Sequence, residues 1–137
     1  MCIQGDIAKL IDWADQKGYV VLLDRYGDDS ICYESRIISI KSTRKEEIQL
    51  HTLLHECGHL LVHKNGSVHE FDLVKDIYRE SSQIVKTYNV IEEIEAWKRG
   101  RTLANKLDIE INEEKWQREV SRAITKYMKW ALSVPPF

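Results

Sequence analysis

Cysteine is scarce and scattered. Cys2, Cys32 and Cys57 are odd in number, lie far apart and form no C-x-x-C pair. This argues against a disulfide framework or a structural zinc ribbon and fits free thiols in a reducing cytosol. Proline is confined to Pro135-Pro136 at the end of the chain. No apolar run approaches the length of a membrane span, and Met1 to Leu10 carries Asp6 and lacks the apolar stretch of a signal peptide. Charge of neither sign dominates: 20 basic and 22 acidic residues leave a net charge of -2. No general attraction to nucleic acid or to anionic membrane is therefore expected. The basic group Lys98-Arg99-Gly100-Arg101 is flanked by acidic residues and reads as a solvated helix face. Internal repeats, low-complexity stretches and linkers are missing as well. The expectation is one cytoplasmic domain over residues 1–137, with composition typical of a globular chain and length enough for a real core.

What is present is a readable order of elements. Ile3, Ile7, Leu10, Ile11 and Ala14 recur at helical spacing, and Gly18 follows as a stop signal. Tyr19 to Leu23 reads as a strand and Asp24 to Asp29 as a turn. Ile31 to Tyr33 and Ile37 to Ile40 read as two further strand segments, joined with a kink near Glu34-Ser35. The short links favour antiparallel pairing, which gives a small early sheet, antiparallel or mixed. Thr43-Arg44-Lys45-Glu46 fits a capping box. It opens a helix carrying Ile48, Leu50, Leu53, Leu54, Leu60, Leu61 and Val62, too apolar for the surface, with Asn65-Gly66 as its stop.

Residues 67–88 carry no clear pattern. Val74, Ile77 and Tyr78 hint at a short helix, with a lid over a cleft as the alternative. Asn89, with Glu92 three residues on, predicts a cap for a helix running to about Leu107. Asn112 before Glu113-Glu114 caps a last helix, whose buried stripe is expected to be Trp116, Val120, Ile124, Tyr127 and Ala131. Trp116, Trp130 and Phe137 leave the oligomeric state open. The fold class is α+β: a small sheet packed on a buried helix, followed by a helical C-terminal half.

The buried helix carries His55-Glu56-Cys57-Gly58-His59, an H-E-x-x-H motif. Residues four apart on a helix stand one turn apart on the same face. Two imidazoles so placed can share one zinc ion, and the glutamate beside the first can act on an activated water as general base. A catalytic zinc needs a third protein ligand. Glu92, Glu93 and Glu95 are available downstream, and helical phase separates them. Glu93 shares a face with Val90, Trp97, Gly100 and Ala104, small or apolar residues that let this helix approach the motif. Glu92 and Glu95 fall among polar neighbours. Glu93 is therefore the expected third ligand. His51 and His63 extend the histidine row by a turn at either end. They read first as polar residues near the helix ends, with a ligand or donor role as the alternative. Among His51, His63, His69, Tyr78 and Tyr88 the sequence does not choose an oxyanion donor.

These residues resemble the zinc metallopeptidase-like proteins of the ImmA/IrrE type, compact relatives of the gluzincins. The resemblance is carried by His55-Glu56-Cys57-Gly58-His59 and by Glu93-Ile94-Glu95-Ala96, which matches the family's Glu-x-x-Ala. It covers about residues 3 to 107 and leaves the last helix outside. It implies a zincin-like domain with Zn2+ on His55, His59 and Glu93, and Glu56 as catalytic base. It also implies a strand beside the cleft, here Arg36 to Ile40, that holds substrate by strand addition. Members are often phage- or mobile-element-encoded, and several cleave a repressor or regulator. The expected function is thus cleavage of a specific protein acting in trans. The alternative is a zinc-stabilised binding module that sequesters a partner without cutting it. Trp97 stands where many relatives carry Asp or Asn. Its indole can only donate, so the acceptors that orient the zinc-binding imidazoles must come from elsewhere.

Overall fold

A computed structural model describes residues 2–64, 78–79 and 82–133. Four helices and a three-stranded mixed sheet make up the described residues, an α+β arrangement. Helix α1 (Ile3–Gln16) buries Ile7, Leu10 and Ala14 on one face. It closes as the sequence suggests, with the Tyr19 amide reaching back past Gly18 to the Ala14 carbonyl at 2.9 Å. Strands β1 (Val20–Asp24), β2 (Ser30–Cys32) and β3 (Ile37–Lys41) follow. Their spatial order is β1-β3-β2.

Two strand expectations need correction here. The sheet is not antiparallel throughout: β3 pairs antiparallel with β2 but parallel with β1, in register Val20↔Ile37 to Asp24↔Lys41. The segment between β1 and β2 is short, yet it only has to cross two strand spacings, about 10 Å. The chain therefore skips one place, and β3 returns into the gap. The second correction concerns strand addition. Arg36 to Ile40 falls almost wholly on β3, whose two edges are both already hydrogen-bonded, so it has no edge to offer. Among the described residues the open edges belong to β1 and β2.

Helix α2 (Glu46–Lys64) is packed on by α1, by β2 and β3, and by the next helix. That surround explains why it is apolar nearly all round. Leu50, Leu53, Leu54, Cys57 and Leu60 are buried, together with Ile38 and Ile40 of β3. Each large aliphatic side chain so placed contributes about 1.5–3 kcal/mol of transfer free energy. The helix begins later than the capping box predicts, at Glu46, and Thr43 lies in a turn. The Gln49 side chain takes over the tying role and donates to the carbonyls of Ser42 (3.1 Å) and Arg44 (2.6 Å).

Helix α3 (Gln83–Lys106) starts earlier than expected. Its cap is Ser82, whose Oγ accepts from the Val85 amide at 3.4 Å, and Asn89 lies within the helix. Helix α4 (Glu113–Leu132) is capped by Asn112, as read, through the Lys115 amide at 3.1 Å. Trp116 and Ala131 of its expected stripe are buried, and Val120 and Ile124 pack against the core; Tyr127, by contrast, is more than a third exposed. The expected stop at Asn65-Gly66, the hint of helix at Val74 and Ile77, and Phe137 lie outside the described residues. Among those residues no helix is long and apolar enough to cross a membrane.

The contact that positions the site is between α2 and α3. A Cβ on Gly58 would stand 1.8 Å from the Ala96 carbonyl oxygen, and one on Gly100 would stand 2.4 Å from that of Leu54. The two helices touch backbone to backbone at these points, which only glycine permits. Sequence phase placed Gly100 and Ala104 on the same face as Glu93, and that face is the one pressed against α2.

Candidate metal centre

The spacing of His55 and His59 on α2 sets their rings 4.7 Å apart between centroids, tilted by 58°. Glu93, one turn before the close approaches at Ala96 and Gly100, reaches across from α3. Its Oε2 lies 2.8 Å from His55 Nε2, and its Oε1 lies 3.1 Å from His59 Nε2. Both imidazoles thus direct Nε2 at one carboxylate. One donor atom from each residue lies within 4.8 Å of the others, so the three can hold a metal ion. Glu92 and Glu95 are not part of this group. Glu95 faces Lys98 and Arg99 at 3.4 and 3.6 Å.

The electrostatics follow from burial and this contact. Burial would push Glu93 up, but the hydrogen bonds from the two imidazoles hold its pKa far below the ordinary carboxylate value. Burial pulls His59 down, and the Glu93 hydrogen bond and charge outweigh it, leaving a net rise. Glu56 is buried, with Oε1 3.6 Å from His55 Nδ1. Burial raises its pKa against the opposing pull of the imidazoles. A carboxyl raised in this way holds a proton more readily than an exposed one, which suits a group that accepts and returns a proton.

Trp97 supplies by stacking what an acceptor would supply by hydrogen bonding. Its ring lies parallel to His55, 4.1 Å between centroids and 6° between planes. Trp116 of α4 meets Trp97 edge-on at 5.2 Å and meets His51 in the same way. His51 is itself buried, with Nδ1 2.7 Å from Glu119. A packed column therefore runs from α4 to the first imidazole. It has one flaw: the Trp97 indole N–H is buried with no acceptor among the described residues.

The other sequence candidates fall in different places. His51 has Glu119 as its partner and stands apart from the three-residue group. His63 stacks on Tyr33 at 4.2 Å, and the Tyr33 hydroxyl donates to the His59 carbonyl at 3.4 Å. Tyr78 is exposed, and Tyr88 is half-buried. Neither lines the cleft at the site, and His69 lies outside the described residues.

A cleft of ≈430 Å³ opens onto His55, Glu56, Glu93 and Trp97. Its opposite wall is α4, through Glu119, Arg122, Ala123, Lys126 and Tyr127. These positions are spaced as one helical face. Tyr127 is the functional candidate that sequence reasoning missed. Its hydroxyl faces Glu93, and burial followed by the charge of Glu93 raises its pKa. The signal was present as tyrosine one turn after Ala123, but that spacing also fits a core stripe. The cleft's end is fixed by Asp29, which pairs with Arg44 and accepts from the Lys41 amide at 2.8 Å. Comparison of the chain with family models, with curated proteins and with solved structures finds no match in any of the three.

Proposed function

We propose that the protein is a zinc-dependent endopeptidase, zincin-like and similar to the ImmA/IrrE type, that acts in the cytoplasm on a specific protein in trans. The observation that carries this reading is the convergence of two imidazole Nε2 atoms and the Glu93 carboxylate beside a cleft that also exposes Glu56. A two-histidine, one-glutamate set is a zinc donor set with a position left open. Donor atoms around a tetrahedral zinc stand about 3.3 Å apart, and one donor atom from each of the three residues already lies within 4.8 Å of the others. Zinc held there supplies Lewis-acid activation of water and of the peptide carbonyl.

The chain's own residues do the rest. Glu56 accepts the proton of the attacking water on a carboxylate oxygen. It then delivers that proton to the leaving amine nitrogen, so that it ends the cycle ionised. Trp97 holds the His55 ring in plane, and the fixed α2–α3 contact keeps Glu93 in reach. Tyr127 offers its hydroxyl from the opposite wall to a substrate oxygen that gains negative charge.

Purified protein should hold about one zinc per chain. Glu56→Gln should keep that zinc and lose cleavage by about two to four orders of magnitude. Cleavage by Glu56→Gln at the wild-type rate rules the mechanism out. The second reading, a zinc-stabilised module that sequesters a partner, draws on the same cleft, which offers α4 as a binding wall. Under that reading Glu56→Gln leaves the biological effect intact while His59→Ala abolishes it.

A further inference from the structure

The α4 wall of the cleft carries two cations that form no ion pair among the described residues. Arg122 and Lys126 are one turn apart, on the same face as Ala123 and Tyr127, and both line the cleft that holds Glu56 and Glu93. Neither has a carboxylate partner among the described residues. Their neighbours differ. Arg44 pairs with Asp29, Lys115 with Glu47 at 2.9 Å, Arg118 with Glu114 at 3.4 Å, and Arg101 with Glu113. Of the acids lining the cleft, Asp29 pairs with Arg44, while Glu119, Glu56 and Glu93 lie against imidazoles. On the α4 wall facing Glu56 the two cations stand against the single acid Glu119, so that wall carries an excess of positive charge in a chain whose net charge is -2.

The positive wall has a direction. Arg122 also borders a second groove, shared with Lys45, Lys115 and Arg118, between the start of α2 and the first half of α4. The two grooves have Ile48, Glu119 and Arg122 in common, so they form one path from Glu56 toward the N-terminal end of α4. A guanidinium and an ammonium at this spacing match two carboxylates on an extended chain, with arginine able to grip one of them at two points.

We infer that Arg122 and Lys126 select acidic side chains in the polypeptide the cleft takes, on the side of the reacting bond that runs toward the start of α4. This rests on the reading of the cleft as a polypeptide site and names its substrate class. Nucleic acid is the alternative anionic occupant, and the test separates it from an acidic polypeptide.

The test uses full-length zinc-loaded Glu56→Gln protein, so that binding is read without turnover. Rhodamine-labelled peptide pools of random neutral residues carry a central Asp-x-Asp, which sets both acids on one face of an extended chain, or, in the control pool, Asn-x-Asn. Anisotropy at low salt should show the acidic pool binding about fivefold tighter, with the advantage shrinking as salt rises. Arg122→Gln with Lys126→Gln should abolish the advantage. Arg122→Glu with Lys126→Glu should transfer it to a Lys-x-Lys pool. Both pairs lie on the exposed face of α4, and circular dichroism checks that each variant folds. Equal binding of the acidic and neutral pools, an advantage that survives both double substitutions, or preferential binding of an oligonucleotide overturns the inference. Wild-type protein on the same pools separates the two claims. Acid-selective binding without any cleavage sinks the peptidase reading alone, and cleavage without acid preference sinks this inference alone.

Discussion

At the residue scale the site is a balance between donors that attract and rings that hold. His55 is fixed on one side by Glu93 and on its face by Trp97. The sequence showed Trp97 in place of a hydrogen-bond acceptor, but only the fold shows that stacking replaces the acceptor. Trp97→Ala removes that face and should weaken zinc binding about tenfold or more, as loss of an orienting partner does, measured by competition with a chromophoric chelator. Trp97→Phe keeps a ring and deletes the orphaned indole N–H. Its stability should stay within about 1 kcal/mol of wild type, because the lost packing is offset by the removed desolvation cost. A large loss in Trp97→Phe would mean that the indole nitrogen has a partner after all. The meeting of Glu93 with the two histidines was legible because phase alone separates it from Glu92 and Glu95. Tyr127 was not, since a tyrosine on a helix stripe reads the same whether it meets a core or a cleft.

At the element scale, packing between α2 and α3 decides whether the ligands meet. Gly58→Ala drives a Cβ into the Ala96 carbonyl, a backbone group that cannot rotate away. The cost should be about 3 kcal/mol, which for a domain of this size lowers Tm by about 10 °C. Zinc affinity should fall with it, because separating the helices withdraws Glu93. A Gly58→Ala protein with unchanged Tm would show that the approach is looser than described. Helix existence and the Asn112 cap were legible in the sequence. The starts of α2 and α3 were not, because Thr43 and Asn89 satisfy the local capping pattern while tertiary contacts and Ser82 set the actual boundaries. The place of β3 in the sheet was likewise hidden. Strand order depends on which partner a segment finds in space, and short links allow either neighbour.

For the whole molecule, the site couples stability to pH in opposite senses with and without metal. In the metal-free protein the His59 pKa is raised above its ordinary 6.5. Its stabilising contribution is complete below that value and is lost as pH rises through the higher folded value. Buried Glu56, raised above 4.5, acts in the same sense, because its ionisation is harder in the folded state. Glu93, lowered below 4.5, contributes at all higher pH and loses its contribution only in acid. The metal-free Tm should therefore decline from pH 6 to pH 8. Zinc binding requires the imidazoles to be unprotonated, so its stabilisation grows over the same range. The gap in Tm between zinc-loaded and metal-free protein should widen from pH 6 to pH 8, as read by scanning calorimetry. A gap that narrows would contradict the ligand assignment.

The central claim is that one metal ion sits among His55, His59 and Glu93, and that it is zinc. A crystal structure of protein purified without chelators, with anomalous data collected on both sides of the zinc absorption edge, tests it most directly. The account predicts a single zinc peak about 2.0–2.1 Å from His55 Nε2, His59 Nε2 and a Glu93 carboxylate oxygen. A zinc peak held by other residues, or these three side chains still hydrogen-bonded to one another with no metal between them, would contradict it.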